Sequence, residues 1–228
     1  MRLYQFLKDQ YKLTKCEVED FNISHHVRVN GIEGKWLSYI LKPDDVIEVD
    51  GKVVKVISNK KIYLLLNKPC GIVCTNDKSV PNNIREFVNY EERIFSIGRL
   101  DKDSCGLIIL TNDGSLFNTI LDENNHIEKE YLVRLERPYD ENFLESMSKG
   151  VPCLSKITKP CTLYKVDDTT FRIILKEGMN RQIRRMAKYF GYQVVYLRRI
   201  RIGDVMDDTL EEGKYRHLTD IEVNNLLK

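Results

Sequence analysis

The feature of the sequence that most constrains the fold is a short apolar run, residues 107–110, enclosed by polar residues. An acidic loop with Asp101 and Asp103 precedes the run, and Asn112-Asp113-Gly114 ends it. Such a run is too short for a buried helix, and its sharp polar boundaries are typical of a buried β-strand. We therefore predict a sheet in which a buried strand begins directly after two carboxylates.

Further apolar segments extend this pattern from residue 62 onwards. Segments typical of strands cover residues 62–66, 131–135, 162–166, 171–175 and 194–197. Residues 180–190 form the clearest helix, because apolar residues recur on one face and Gly191 ends the pattern. Many strands with few helices predict a mixed sheet as the core of a domain over residues 62–228.

The first 58 residues predict a separate small module. Thr14-Lys15-Cys16-Glu17 is a capping box, which is typical of the start of a helix. Short strand patterns flank Asn30-Gly31 and Asp50-Gly51, and both dipeptides favour tight hairpin turns. Helices followed by small strands make an α+β module over residues 1–58, and the polar stretch 58–61 is typical of a linker.

Composition excludes several classes of protein. Hydrophobic residues make up 42% of the 228 residues, which is enough for a core, so a disordered chain is excluded. No apolar run approaches the roughly 18 residues of a membrane span. The charged first residues do not resemble a signal peptide, so we expect a cytoplasmic protein without a membrane partner. The six cysteines include no Cys-x-x-Cys pair, so we predict reduced thiols and no metal site.

Positive charge is concentrated in one segment although the formal net charge is only +2. Residues 179–203 contain no acidic residue. Their basic residues are Arg181, Arg184, Arg185, Lys188, Arg198, Arg199 and Arg201. This concentration favours a phosphate-rich partner, and a solvated helix face that pairs with acidic residues elsewhere is the alternative.

The acidic loop before residues 107–110 has three interpretations. It opens like a calcium-binding EF-hand loop, but Cys105 occupies the fifth position and Asn112 occupies the twelfth, where a bidentate Glu belongs. Asp101 and Asp103 are otherwise either ordinary loop carboxylates or a nucleophile or base held at a sheet edge. The loop alone does not decide between the last two.

The whole stretch resembles a known signature. Gly98-Arg99-Leu100-Asp101, followed by Gly106-Leu107 and by Leu-Thr-Asn-Asp-Gly at 110–114, is similar to the active-site motif of the RsuA-like ribosomal RNA pseudouridine synthases. Three more segments match in that family's order, namely Asn67-Lys68-Pro69, Lys129-Glu130-Tyr131 and Gln182-Ile183-Arg184. The first module resembles the S4 RNA-binding domain. The resemblance thus implies an S4-like α+β module followed by a mixed-sheet catalytic domain.

The resemblance also implies the reaction and its residues. A uridine is isomerised to pseudouridine without a cofactor or metal. Asp101 matches the essential aspartate, which either attacks C1′ or assists glycal formation. Arg184 matches the arginine paired with that aspartate, and Tyr131 matches the tyrosine that stacks on the uracil and helps to remove the C5 proton. Leu197 is either a pocket wall or an ordinary core leucine.

Several basic residues are candidates for RNA contacts. Arg181 and Arg185 are predicted to contact phosphates, whereas Arg99 and Lys129 either contact RNA or form structural ion pairs. In the first module, Lys15 and Arg28 are the main candidates for a modest basic face. The module departs from the S4 pattern, because Cys16 follows Lys15 where a second basic residue is usual.

The resemblance is strongest to the F-type enzymes, which act on 23S rRNA and include a member that also modifies a tRNA. Residues 128–133, 150–152, 178–186 and 190–192 carry this similarity. The length and residues 213–216 are also similar to the A-type small-subunit enzymes, so 16S rRNA is the alternative. We expect a monomer that acts on ribosomal RNA, on a tRNA or on an assembly intermediate.

Two other classes of function are alternatives to an RNA pseudouridine synthase. A non-catalytic rRNA-binding or assembly module would have no use for Asp101, Tyr131 and Arg184 together. A metal-dependent phosphoesterase that uses Asp101 and Asp103 would need further ligands, and the sequence offers no convincing set.

Overall fold

The computed structural model describes residues 1–33, 36–42, 44–56, 61–121, 127–154 and 156–227. The chain divides into two compact units, Met1–Lys60 and Lys61–Lys228. Residues 58–60 of the predicted linker lie outside the described residues. Within the described ranges, no helix is long and apolar enough to cross a membrane.

The first unit packs two helices on a small sheet. The helices are α1 (Leu3–Tyr11) and α2 (Lys15–Ser24), and the strands are β1 (Val27–Val29), β2 (Ile32–Glu33), β3 (Val46–Val49) and β4 (Lys52–Val56). The sheet has the order β2-β1-β3-β4. The capping box is confirmed, since the Thr14 amide donates to the Glu17 carboxylate over 2.7 Å. Both predicted hairpin turns are confirmed, with Asn30 and Asp50 in the left-handed region.

The second unit is built on a nine-stranded sheet. Its strands are β5 (Tyr63–Lys68), β6 (Phe95–Ile97), β7 (Cys105–Thr111), β8 (Lys129–Leu135), β11 (Thr162–Lys165), β12 (Thr170–Leu175), β13 (Val194–Ile202), β14 (Val205–Met206) and β15 (Tyr215–His217). A separate hairpin contains β9 (Pro152–Cys153) and β10 (Lys156–Ile157). The helices are α3 (Ile84–Val88), α4 (Gly114–Leu121), α5 (Glu141–Ser148), α6 (Gln182–Tyr189) and α7 (Asp220–Leu227).

The main path of this sheet runs β11-β12-β8-β13-β7-β5-β15, with β6 beside β7 and β14 beside β13. The pairing of β13 with β7 is parallel, whereas β13 pairs with β8 in the antiparallel sense. The predicted mixed sheet is therefore confirmed. Every residue of β7 is buried, as expected for the strand that follows the acidic loop.

A glycine fixes the junction between β7 and β13. Gly106 has φ +105°, and a side chain there would collide with the backbone carbonyl of Arg199. Only glycine combines this conformation with so close an approach of two strands. The contact sets the start of β7 and therefore the position of the preceding loop, residues 101–104.

The predicted helix over 180–190 begins later than expected. Arg181 adopts a left-handed conformation, with φ 52°, so α6 starts at Gln182. The strand predicted over 194–197 extends to Ile202 because it pairs along its length with β8. Asn112-Asp113-Gly114 ends β7 as predicted, but it also starts α4, since the Asp113 carboxylate accepts from the Ser115 amide.

Candidate active site

A pocket of about 550 Å³ opens at the start of β7. Five of the site residues predicted from the sequence line it, namely Arg99, Asp101, Tyr131, Arg181 and Leu197. They come from the loop before β7, from β8, from the segment before α6 and from β13. Neighbouring strands of one sheet thus bring together side chains that are distant in the sequence.

The backbone around Asp101 is held by short hydrogen bonds. The Ser104 amide donates to the Asp101 carbonyl over 3.1 Å, and the Gly71 amide donates to the Lys102 carbonyl over 2.7 Å. The Asp101 side chain is 31% exposed, and its carboxylate lies 3.8 Å from the Arg181 guanidinium. The loop therefore presents a partly exposed carboxylate to the pocket on a fixed backbone.

Tyr131 reaches the pocket from the middle of the sheet. It lies opposite Ile173 of β12 and Arg199 of β13. Its half-buried ring packs against apolar clusters on the sheet. Its neighbour Glu130 is buried and pairs with Arg172 at 3.2 Å and Arg201 at 2.8 Å. These ion pairs tie β8 to β12 and to β13 next to the tyrosine, so its backbone has a defined position.

Arg184 lies beside Asp103 rather than beside Asp101. Its terminal nitrogens donate to the carbonyls of Val194 and Asp103, each over 2.8 Å. Its Nε lies 3.5 Å from the Asp103 carboxylate. The sequence resemblance had paired this arginine with Asp101. In the structure, the carbonyls at the end of the loop and at the start of β13 hold the guanidinium instead.

Asp103 binds Arg181 through two hydrogen bonds, which the sequence did not predict. Nη1 and Nη2 of Arg181 donate to the two carboxylate oxygens over 3.0 and 2.8 Å. The hydrogen bonds from Arg181 hold the pKa of Asp103 below its usual value, and the pKa of Arg181 is raised in turn. The left-handed conformation of Arg181, just before α6, directs its side chain to this loop.

A second cavity, of about 990 Å³, is lined by the basic face of α6. We call it the basic groove, and its charged lining residues are Asp103, Glu136, Arg181, Arg184, Arg185 and Lys188. Arg185 is steadied by a 3.0 Å hydrogen bond from its Nε to the Asn180 carbonyl. Arg181 lines both cavities. A positively charged surface therefore adjoins the pocket that holds Asp101.

Comparison with known proteins decides the family. The family model described as RNA pseudouridylate synthase matches residues 62–189. The dual-specificity RNA pseudouridine synthase RluF of Escherichia coli K12 is 42% identical over all of this chain and 79% of its own length. The chain belongs to the RsuA-like RNA pseudouridine synthases. It is therefore an RNA pseudouridine synthase, an isomerase.

Two other comparisons agree that the synthase belongs to this family. The ribosomal small subunit pseudouridine synthase A of Haemophilus influenzae is 36% identical, and the match covers both chains completely. A crystal structure of a pseudouridylate synthase matches with a TM-score of 0.70 at 34% identity, over 99% of each chain. The family match begins at residue 62, so the S4 character of the first unit stays a prediction.

The other residues predicted to contact RNA differ in their surroundings. The Lys129 ammonium donates to the Ile120 carbonyl over 3.5 Å, and Lys129 does not line the pocket. Arg99 lines the pocket and is exposed. Lys15 and Arg28 are exposed residues of the first unit. Exposure makes these last three residues available to RNA.

No role is predicted for Lys68 from the sequence, although it lies in the matched Asn67-Lys68-Pro69 segment. Its side chain is fully buried, and its ammonium donates to the carbonyls of Pro69 and Ile72, each over 2.9 Å. Burial lowers the pKa of Lys68, and the nearby charge of Asp101 acts in the opposite direction. Lys68 thus closes the turn after β5 through these two hydrogen bonds.

Proposed function

We propose that this synthase converts a uridine of ribosomal RNA to pseudouridine, with 23S rRNA favoured and Asp101 acting at C1′ of the target nucleotide. The observation that carries the proposal is the pocket itself. It places the Asp101 carboxylate, the Tyr131 ring and the apolar Leu197 together, beside a groove lined by arginines. A carboxylate, an aromatic ring and a phosphate-binding surface are what the reaction on a flipped nucleotide requires.

The proposed reaction begins when the bond between N1 and C1′ of the uridine breaks. The Asp101 carboxylate either attacks C1′ or assists loss of the C2′ proton to give a glycal. The uracil then turns and a bond forms between C5 and C1′. On the first route C5 displaces the Asp101 carboxylate from C1′, and on the second route C2′ regains its proton. The C5 proton leaves last. The Tyr131 ring stacks on the uracil throughout, and its phenol assists the final loss of the proton.

The target uridine must leave its base stack to enter the pocket. Extrusion of a base costs a few kcal/mol. Stacking on Tyr131 and phosphate contacts along the basic groove offset that cost. We assign the phosphate contacts to Arg181 and Arg185, because both line the groove and both are exposed. Arg184 is largely buried and acts as a positioning residue for the loop that carries Asp101.

The choice of RNA rests on similarity. The chain is 42% identical to RluF and 36% identical to the small subunit synthase A, which favours the F-type enzymes and hence 23S rRNA. The name of RluF describes a dual-specificity enzyme, so a second substrate such as a tRNA forms part of the proposal. The full-length match to the small subunit enzyme favours 16S rRNA as the second candidate.

The remaining parts of the proposal concern the whole protein. We propose that it is cytoplasmic, because its proposed substrate is ribosomal RNA, and that it acts as a monomer. We also propose that the first unit adds RNA affinity through Lys15 and Arg28. Such charge contacts are sensitive to salt and largely blind to sequence.

Tritium release from RNA labelled with 5-³H-uridine tests the proposal, with 23S rRNA, 16S rRNA and tRNA as separate substrates. We expect release from 23S rRNA, and none from any RNA when Asp101→Ala replaces the wild-type protein. Release from 16S rRNA alone would overturn the choice of substrate but keep the reaction. Lack of release from every RNA, including rRNA in partly assembled subunits, would favour a non-catalytic RNA-binding module.

A further inference from the structure

Asp103 is one of two acidic residues that line the basic groove, the other being Glu136. Asp103 shares the groove with Arg181, Arg184, Arg185 and Lys188. Its side chain is 48% exposed, and its two carboxylate oxygens accept hydrogen bonds from Nη1 and Nη2 of Arg181 over 3.0 and 2.8 Å. Arg181 lines both the groove and the pocket, and both of its terminal nitrogens already donate to the Asp103 carboxylate.

Arg184 does not depend on the Asp103 carboxylate in the same way. Its terminal nitrogens donate to two backbone carbonyls, those of Val194 and Asp103, and one also reaches the Ser104 hydroxyl over 3.3 Å. Its Nε lies 3.5 Å from the carboxylate. Removal of the charge at Asp103 would leave these neutral acceptors in place. The carboxylate thus acts chiefly on Arg181, whose side chain is 42% exposed.

A guanidinium fork binds a carboxylate or a phosphate in the same two-point geometry. An exposed ion pair contributes little net stability, so a phosphate that reaches the same position can replace the carboxylate. We propose that Asp103 competes with RNA phosphate for Arg181 and thereby determines specificity. An RNA gains the Arg181 contact only when its fold places a phosphate where the carboxylate lies. This inference rests on the proposed action on RNA.

Equilibrium binding of Asp103→Asn tests this competition, with a short oligouridylate and a 23S rRNA transcript as probes. Asparagine keeps the size of the side chain but loses its charge, so Arg181 becomes available to any phosphate. We expect the affinity for oligouridylate to rise about fivefold, and the slope of log affinity against log salt to steepen by about 0.7, as for one added phosphate contact. The preference for the transcript falls accordingly.

Three variants separate competition from other effects. Asp168→Asn also removes one negative charge from a lysine ion pair, at an exposed site outside the groove, and we expect no change in affinity. Asp103→Glu keeps the charge and is expected to retain the wild-type preference. Arg181→Ala combined with Asp103→Asn should cancel the gain, because the gain acts through Arg181.

A loss or lack of change in oligouridylate affinity with Asp103→Asn would overturn the inference, and so would an equal gain with Asp168→Asn. These are binding measurements and need no turnover. Absence of tritium release from the wild-type protein would instead overturn the proposed function. The two failures are therefore distinguishable.

Discussion

Arg181 brings its guanidinium to 3.8 Å from the Asp101 carboxylate, although it lies one helical turn before the arginine expected there. Arg184 instead fastens the end of the loop through the carbonyls of Asp103 and Val194. The two arginines thus differ in position, since Arg181 supplies positive charge near the Asp101 carboxylate and Arg184 fixes the backbone of the loop that carries it.

We expect Arg184→Lys to impair turnover more than RNA affinity. A lysine ammonium cannot reach the acceptors that the planar guanidinium joins, so the loop with Asp101 loses its support. Misplacement by about 1 Å costs up to roughly 100-fold in rate. Single-turnover tritium release and equilibrium RNA binding measure the two effects. Arg185→Lys, at an exposed position of the same helix, is the control, and equal losses of rate in both variants would contradict the assigned role.

Gly106→Ala should destabilise the second unit by about 3 kcal/mol or more. The residue has φ +105°, and an added Cβ would meet the backbone of Arg199, which cannot move aside cheaply. Urea unfolding monitored by circular dichroism measures the effect. Gly114→Ala is the matched control, because an added Cβ there meets nothing within 4 Å. Similar unfolding midpoints for both variants would show that the contact between β7 and β13 is looser than described.

Parts of this architecture are predictable because they depend on short stretches of sequence. The capping box at Thr14, the turns at Asn30 and Asp50, and the buried strand β7 all follow from local residue patterns. The helix α3 has only five residues, too few to show a periodicity. The helices α5 and α7 are as long as α6 but lack its sharp division into an apolar and a basic face. Arg181 pairs with Asp103 across 78 residues, and no local pattern signals such a contact. The burial of Lys68 cannot be predicted from the sequence either, because lysine is rarely buried.

The stability of the second unit should fall in acid partly through Asp207. Hydrogen bonds from Arg216 and Thr209 lower the pKa of Asp207 to about 2. A lowered pKa in the folded state stabilises the protein above the ordinary aspartate range, near pH 4, and this contribution is lost as the pH falls towards 2.

We therefore expect Asp207→Asn to flatten the decline in unfolding free energy between about pH 4 and pH 2. Urea titrations across that range measure the decline. Asp208→Asn alters the exposed neighbouring carboxylate and should leave the wild-type slope unchanged. Parallel pH curves for the wild type and Asp207→Asn would mean that the contacts with Arg216 and Thr209 add no pH-dependent stability.

Replacement of Lys15 and Arg28 by alanine should weaken RNA binding and leave the chemical step intact. Both residues are exposed in the first unit, and loss of the phosphate contacts proposed for them should make the salt dependence shallower. Filter binding at several salt concentrations measures affinity, and single-turnover tritium release at saturating protein measures chemistry. Lys165→Ala, in the second unit, controls for charge. Unchanged affinity in the double variant would show that this face does not bind RNA.

The most direct test of the account replaces Asp101 by asparagine, which keeps the shape of the side chain but cannot act as a carboxylate at C1′. Tritium release and RNA affinity are measured on the same preparation, with 23S rRNA as substrate. We predict that release falls to background while affinity stays within a few-fold of the wild type. Substantial residual release would contradict the assignment of the reaction to Asp101.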